Sequence, residues 1–162
     1  MRAVSARWLV LLLAALLAGC GFRMQGSMTL PGGVRSVYVA APDLLSPFAV
    51  ELSRALERGG ASVAGSATEA DAVIRVRNDR TGRRVLSVST RNTPQEYELF
   101  YSVDYTIDRG GKEVLPLQRH ELTRSFTFDQ SRLLAKDREE EVLREAMARD
   151  LADLVLRRLE TL

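Results

Sequence analysis

Apolar residues follow three different rhythms along this chain, and each rhythm predicts a different kind of element. Residues 8–17 are an unbroken apolar run. Phe48, Leu52, Ala55 and Leu56 then recur at helical spacing, with Glu51, Arg54, Glu57 and Arg58 covering the rest of the surface. Ser46 suits the N-cap, Pro47 the first helical position and Gly59 the end, so a short helix packing one face is predicted there. Between 96 and 108 the period changes to two. Tyr97, Leu99, Tyr101, Val103, Tyr105 and Ile107 alternate with polar residues, Phe100 being the exception. That alternation predicts a long strand with one buried face and one wetter face. The helical period returns over 137–159 with the stripe Leu143, Met147, Leu151, Leu154 and Val155.

The remaining segments are shorter. Residues 36–40 read as a strand, as do 72–77 and 83–89, the polar stretch 78–82 between the last two reading as a turn. Gly110-Gly111 turns the long strand toward a partner near 119–128, where Leu122, Phe126 and Phe128 share a face, so the two form a hairpin. For the last helix, Asp137 with Glu140 gives a capping start, and Glu139, Glu140 and Glu141 form an acidic first turn. Glu140/Arg144, Glu145/Arg149 and Asp153/Arg157 are acid-before-base pairs at helical spacing. The expected fold is α+β: a two-layer sandwich of two helices on one face of a mixed sheet of about four strands. The other sheet face would meet water.

The apolar run at 8–17 changes the picture of the whole chain. Arg2 and Arg7 precede it, giving the charge-then-apolar layout of an export signal, and it is too short for a membrane span of roughly 20 residues. It ends in Leu17-Ala18-Gly19-Cys20, which holds the only cysteine and resembles the lipobox of bacterial lipoproteins. The expected organisation is a signal peptide at 1–19, a lipidated N-terminus and tether at 20–34, and one periplasmic domain at 35–162. Cys20 would carry an N-acyl group and an S-diacylglyceryl group, enough acyl chain for stable anchoring, and no other cofactor is expected. Gly21 stands where inner-membrane lipoproteins typically carry Asp, so the expected destination is the outer membrane.

Charge then narrows the partners. Removing Arg2 and Arg7 from 23 basic side chains leaves 21 against 21 acidic ones, so no nucleic-acid partner is suggested. Candidate chemistry is thin. His120 is the only histidine, and no nucleophile elbow, zinc-protease, Walker or dinucleotide pattern is present. The acidic run reads as a solvated helix start rather than a metal site. Neither catalysis nor metal binding is expected, although a carboxylate-pair hydrolase stays open because acidic residues abound.

Several short motifs in order are similar to one family. Cys20-Gly21-Phe22-Arg23, the Pro31 that follows, Glu96-Tyr97 opening the long strand, Arg124-Ser125-Phe126 and Leu134-Ala135-Lys136-Asp137 resemble the LptE family of lipopolysaccharide-assembly lipoproteins. The resemblance spans nearly all of the chain after Cys20. It implies a non-enzymatic role: plugging the lumen of the β-barrel protein LptD, assisting its assembly, and binding lipopolysaccharide. It also implies lipopolysaccharide-binding cations at Arg91 and Lys136, which from the residues alone could equally be solvated surface charges. A lipoprotein scaffold for another envelope machine is the alternative reading.

Overall fold

The computed structural model describes residues 33–127 and 133–162. The first strand, β1 (Ser36–Ala40), leads into α1 (Pro47–Arg58), followed by the two-residue β2 (Ser62–Val63). Three long strands come next, β3 (Ala72–Val88), β4 (Pro94–Arg109) and β5 (Lys112–Thr127), before the closing helix α2 (Leu133–Glu160). The sheet order is β2-β1-β3-β4-β5, parallel among the first three strands and antiparallel among the last three. Both helices pack on one face, as expected, and the sheet has five strands rather than about four. The fifth is β2, too short to show a period.

The start of α1 shows how sequence fixes an element to its neighbours. Pro47 has no N–H to satisfy, Phe48 N–H donates to the Tyr101 hydroxyl at 3.1 Å, and Ala49 N–H donates to Ser46 Oγ at 3.2 Å. Ser46 in turn donates to Asp79 at 2.5 Å. Every free donor of the first turn is therefore met, and the helix is pinned to β3 and β4 at once.

The polar stretch 78–82 is not a turn. β3 runs through it unbroken, with a bulge between Val76 and Asn78. One extra residue at a bulge flips the side-chain phase. Ile74 and Val76 face the helices before it, and Asp79, Thr81, Arg83 and Val85 face that way after it. The turn-like residues have cross-strand jobs: Asp79 meets Ser46, and Gly82 makes room for the Phe100 ring. A Cβ at Gly82 would sit 2.7 Å from Phe100 Cζ, so the one apolar break in the alternation of β4 is a ring lying across a glycine on the outer face.

The inner face of β4 is as expected, with Leu99, Tyr101, Val103, Tyr105 and Ile107 fully buried. Gly110 and Gly111 both hold positive φ at the β4–β5 turn, which suits their lack of a Cβ. β5 begins well before the expected stretch, and Phe128 lies outside the described residues.

α2 starts four residues before the expected Asp137. Leu133-Leu134-Ala135-Lys136 are all good helix formers and nothing among them stops the helix, so Asp137 is not a cap. The acidic run therefore lies inside the helix, not at its first turn. Met147, Ala148, Leu151, Ala152, Val155, Leu156 and Leu159 supply its buried stripe, while Leu154 packs at the margin.

Candidate functional site

Two carboxylates expected on solvated helix faces are instead buried. Glu51 of α1 is held by Arg54 at 2.9 Å and faces Arg149 of α2 at 3.7 Å. Glu140 of α2 is only 6 % exposed and accepts from Arg83 of β3 at 3.2 Å and from Arg144 one turn along. Each carboxylate thus ties α2 to another element through a pair of guanidiniums. Burial of a charge demands such partners. Arg149, expected to pair with Glu145 along its own helix, reaches across to Glu51 of α1.

The β3–β4 hairpin projects toward the end of the molecule far from where the described chain begins. At that beginning, Arg35 N–H and Ser36 N–H both donate to Asp71 Oδ2, just ahead of β3. These bonds hold the Asp71 carboxyl below the ordinary carboxylate range. From there β3 runs for 17 residues, which at about 3.3 Å per residue carries the tip about 50 Å away.

Arg91 sits on this tip and is exposed. Its loop is ordered by short bonds: Ser89 Oγ to Thr93 Oγ1 at 2.5 Å, Arg91 N–H to Ser89 Oγ at 3.2 Å, and Thr93 N–H to the same oxygen at 3.2 Å. Asn92 takes the left-handed conformation that closes the loop, with φ of 57°. Val85, Leu86 and Val88, all about half exposed, put apolar side chains on the stem just ahead of the loop that carries Arg91. Lys136 falls in the opening turns of α2, but its side chain lies outside the described residues. The Arg83–Glu140 pair brings α2 near its start onto the same hairpin that carries Arg91. Cys20, the signal at 1–19 and most of the tether also lie outside the described residues.

The outer sheet face is built from ion pairs across strands. Arg119 forks onto Asp104 with two bonds of 2.7 Å, Arg75 reaches Asp108 at 2.6 Å, and Arg84 bridges Glu98 and Glu121. The Arg84 guanidinium also lies 5.5 Å from the Phe100 ring centre. Ser102, Asp104 and Thr106 are buried beneath these long side chains, so this face is less open than simple alternation suggested. The Arg119 fork holds the Asp104 carboxyl below its usual range.

No described group resembles a catalytic centre. His120 is hydrogen-bonded to the Tyr105 hydroxyl at 3.3 Å and stacked on its ring. Among the described residues no cluster of His, Cys, Asp and Glu is placed to hold a metal ion, and no helix is long and apolar enough to cross a membrane. What the sequence reading missed is the Arg83–Glu140–Arg144 cluster. The Glu140/Arg144 spacing was visible, but nothing in the sequence pointed to Arg83.

Comparison with known proteins agrees with this architecture. The LPS-assembly lipoprotein LptE of Pectobacterium atrosepticum is 26% identical over 156 residues, covering 95% of this chain and 84% of its own. The protein of the same name from Yersinia pestis is 27% identical over 145 residues, covering 89% and 70%. Among solved structures, lipoprotein B from Nitrosomonas europaea superposes with a TM-score of 0.72 at 31% identity, covering 86% of this chain and 90% of that one. The rare lipoprotein B from Shewanella oneidensis gives 0.68 at 25% identity, covering 78% and 94%. The family model for LptE, lipopolysaccharide-assembly, matches residues 34–159, from the chain before β1 almost to the end of α2, and the protein belongs to that family.

Proposed function

We propose that this protein acts without catalysis, as a lipid-anchored plug and assembly partner of an LptD β-barrel that also binds lipopolysaccharide for insertion into the outer leaflet. The observation that carries the reading is the projecting hairpin. It offers a guanidinium for anionic phosphate and an apolar stem for acyl chains, about 50 Å from the beginning of β3. In this reading Cys20 carries the acyl groups that hold the protein on the periplasmic side of the outer membrane. The outer sheet face, whose charges are mutually paired, suits the polar interior of a barrel.

Arg91 and Lys136 are the residues proposed to meet lipid A phosphates. Changing both to Asp replaces attraction with repulsion and leaves the buried stripes of both helices intact. A charge-assisted hydrogen bond contributes about 1.5–3 kcal/mol, so lipopolysaccharide affinity should fall by at least about tenfold. Barrel co-purification in mild detergent should persist. Unchanged lipid affinity would remove these two residues from the site. Lost barrel association would reassign them to the protein interface, and a native pull-down with no large β-barrel would favour a scaffold for another envelope machine. Mass spectrometry of the mature N-terminal peptide should find a triacylated Cys20.

A further inference from the structure

Where α2 passes over β3, a cleft of about 510 Å³ opens, lined by Gly82, Arg83, Glu140 and Arg144. Its floor is the buried Glu140 carboxylate, and its walls are two guanidiniums from different elements. The carboxylate engages Nη1 of Arg83 and Nη2 of Arg144, while a guanidinium carries five N–H donors. Most of the donor capacity at this point is therefore unspent. The Arg144 Nε–H is buried, so only the Nη groups of that side chain can serve a ligand. The Arg83 guanidinium lies 5.1 Å from the Tyr97 ring centre, and both arginine side chains remain partly open to solvent at 49% and 36%.

We infer that Arg83 and Arg144 form a binding site for a phosphate-monoester group, in which the Glu140 carboxylate between them competes with the ligand for their N–H donors. The local charge of two cations and one anion is net positive, so an anion is the ligand. A planar carboxylate fits one guanidinium fork, whereas a tetrahedral phosphate offers oxygens to two forks approaching from different directions. The site uses neither Arg91 nor Lys136, and it stands or falls separately from their proposed role.

The test uses the full chain in detergent micelles. Inorganic phosphate is titrated by calorimetry, and in parallel the micelles are doped with phosphatidic acid or, as a control, phosphatidylcholine, while amide and Tyr97 ring resonances are followed. Arg83→Lys with Arg144→Lys keeps both charges on Glu140 but removes the forks, and should weaken binding by at least about tenfold. Glu140→Gln removes the competing anion and should tighten binding by at least about threefold, a gain that partial unfolding could not produce. Response to both inorganic phosphate and phosphatidic acid identifies the phosphate group itself as the ligand. Response to phosphatidic acid alone assigns a lipid headgroup, and response to inorganic phosphate alone assigns the free ion. No response to either, unaltered binding in the double lysine variant, or no gain in Glu140→Gln overturns the inference. The Arg91→Asp, Lys136→Asp protein should bind phosphate here like the unaltered chain.

Discussion

Tyr101 offers the sharpest test of how α1 is held on the sheet. Its side chain is fully buried, and its hydroxyl accepts the Phe48 N–H at 3.1 Å. The same hydroxyl faces Asp79, and burial, reinforced by that carboxylate, pushes its pKa well above the ordinary tyrosine value. Replacing Tyr101 by Phe keeps the ring and deletes one oxygen. The cost then comes from the partners left behind: a first-turn amide with no acceptor, and an aspartate deprived of a donor. An unsatisfied buried donor costs about 1–3 kcal/mol. For a domain of this size that corresponds to a fall in Tm of about 4–12 °C. Urea unfolding at neutral pH measures the difference directly. Ser46→Ala removes the cap that shares Asp79, so the two changes should be non-additive by about 0.5 kcal/mol or more. A Tyr101→Phe protein within about 0.5 kcal/mol of the unaltered one would refute the claim that this hydroxyl anchors the helix.

Two further outcomes follow from the outer sheet face. Asp104 has a folded-state pKa below its unfolded value because Arg119 forks onto it, so its contribution is present above the unfolded pKa of 3.8 and is lost as pH falls through the lower folded value; Asp104→Asn should flatten that acid limb of stability, and an unchanged limb would count against the fork. Gly82→Ala places a methyl where Phe100 lies, and should cost about 1–2 kcal/mol in chemical unfolding. Truncating Phe100 to Ala beforehand should abolish most of that cost, whereas simple additivity would show that the ring does not lie on the glycine.

How much of this was legible depended on whether the governing contacts were local. The β4 alternation and α1 could be read because each is a periodic pattern with its own start and stop signals. The β4–β5 hairpin was announced by Gly110-Gly111, residues that a turn needs for backbone reasons. β3 could not be read as one strand, because the bulge after Val76 shifts the buried phase and splits the pattern into two short pieces. Asn78, Asp79 and Gly82 then looked like a turn, when Asp79 meets Ser46 from 33 positions away and Gly82 lies under Phe100. Burial of Glu140 was hidden for a similar reason, since Arg83 lies 57 positions earlier. The acid run that seemed to cap a helix was a few residues inside one. Of the proposed lipid contacts, Arg91 came from the family resemblance, and the fold adds that it lies at the far tip of a long hairpin.

Glu51 shows why a buried ion pair should not be read as a stabilising device without a test. Its carboxylate is held by Arg54 and faces Arg149, both of which remain more than half exposed. Taking the carboxylate out of water is costly, and exposed guanidiniums return that cost only in part. Glu51→Ala removes the acid and leaves a gap between α1 and α2, so it should destabilise by about 1–3 kcal/mol. Glu51→Met fills nearly the same volume with an apolar chain next to a core that already contains Leu52, Ala55 and Met147. That variant should be within about 1 kcal/mol of the unaltered protein, or more stable, because replacing a buried ion pair by packed apolar groups is often neutral or favourable. Urea denaturation of the two variants separates the possibilities. If Glu51→Met loses as much stability as Glu51→Ala, the ion pair itself holds the helices together. If it does not, what the carboxylate supplies is the relative placement of α1 and α2, which a polar contact fixes more narrowly than an apolar one.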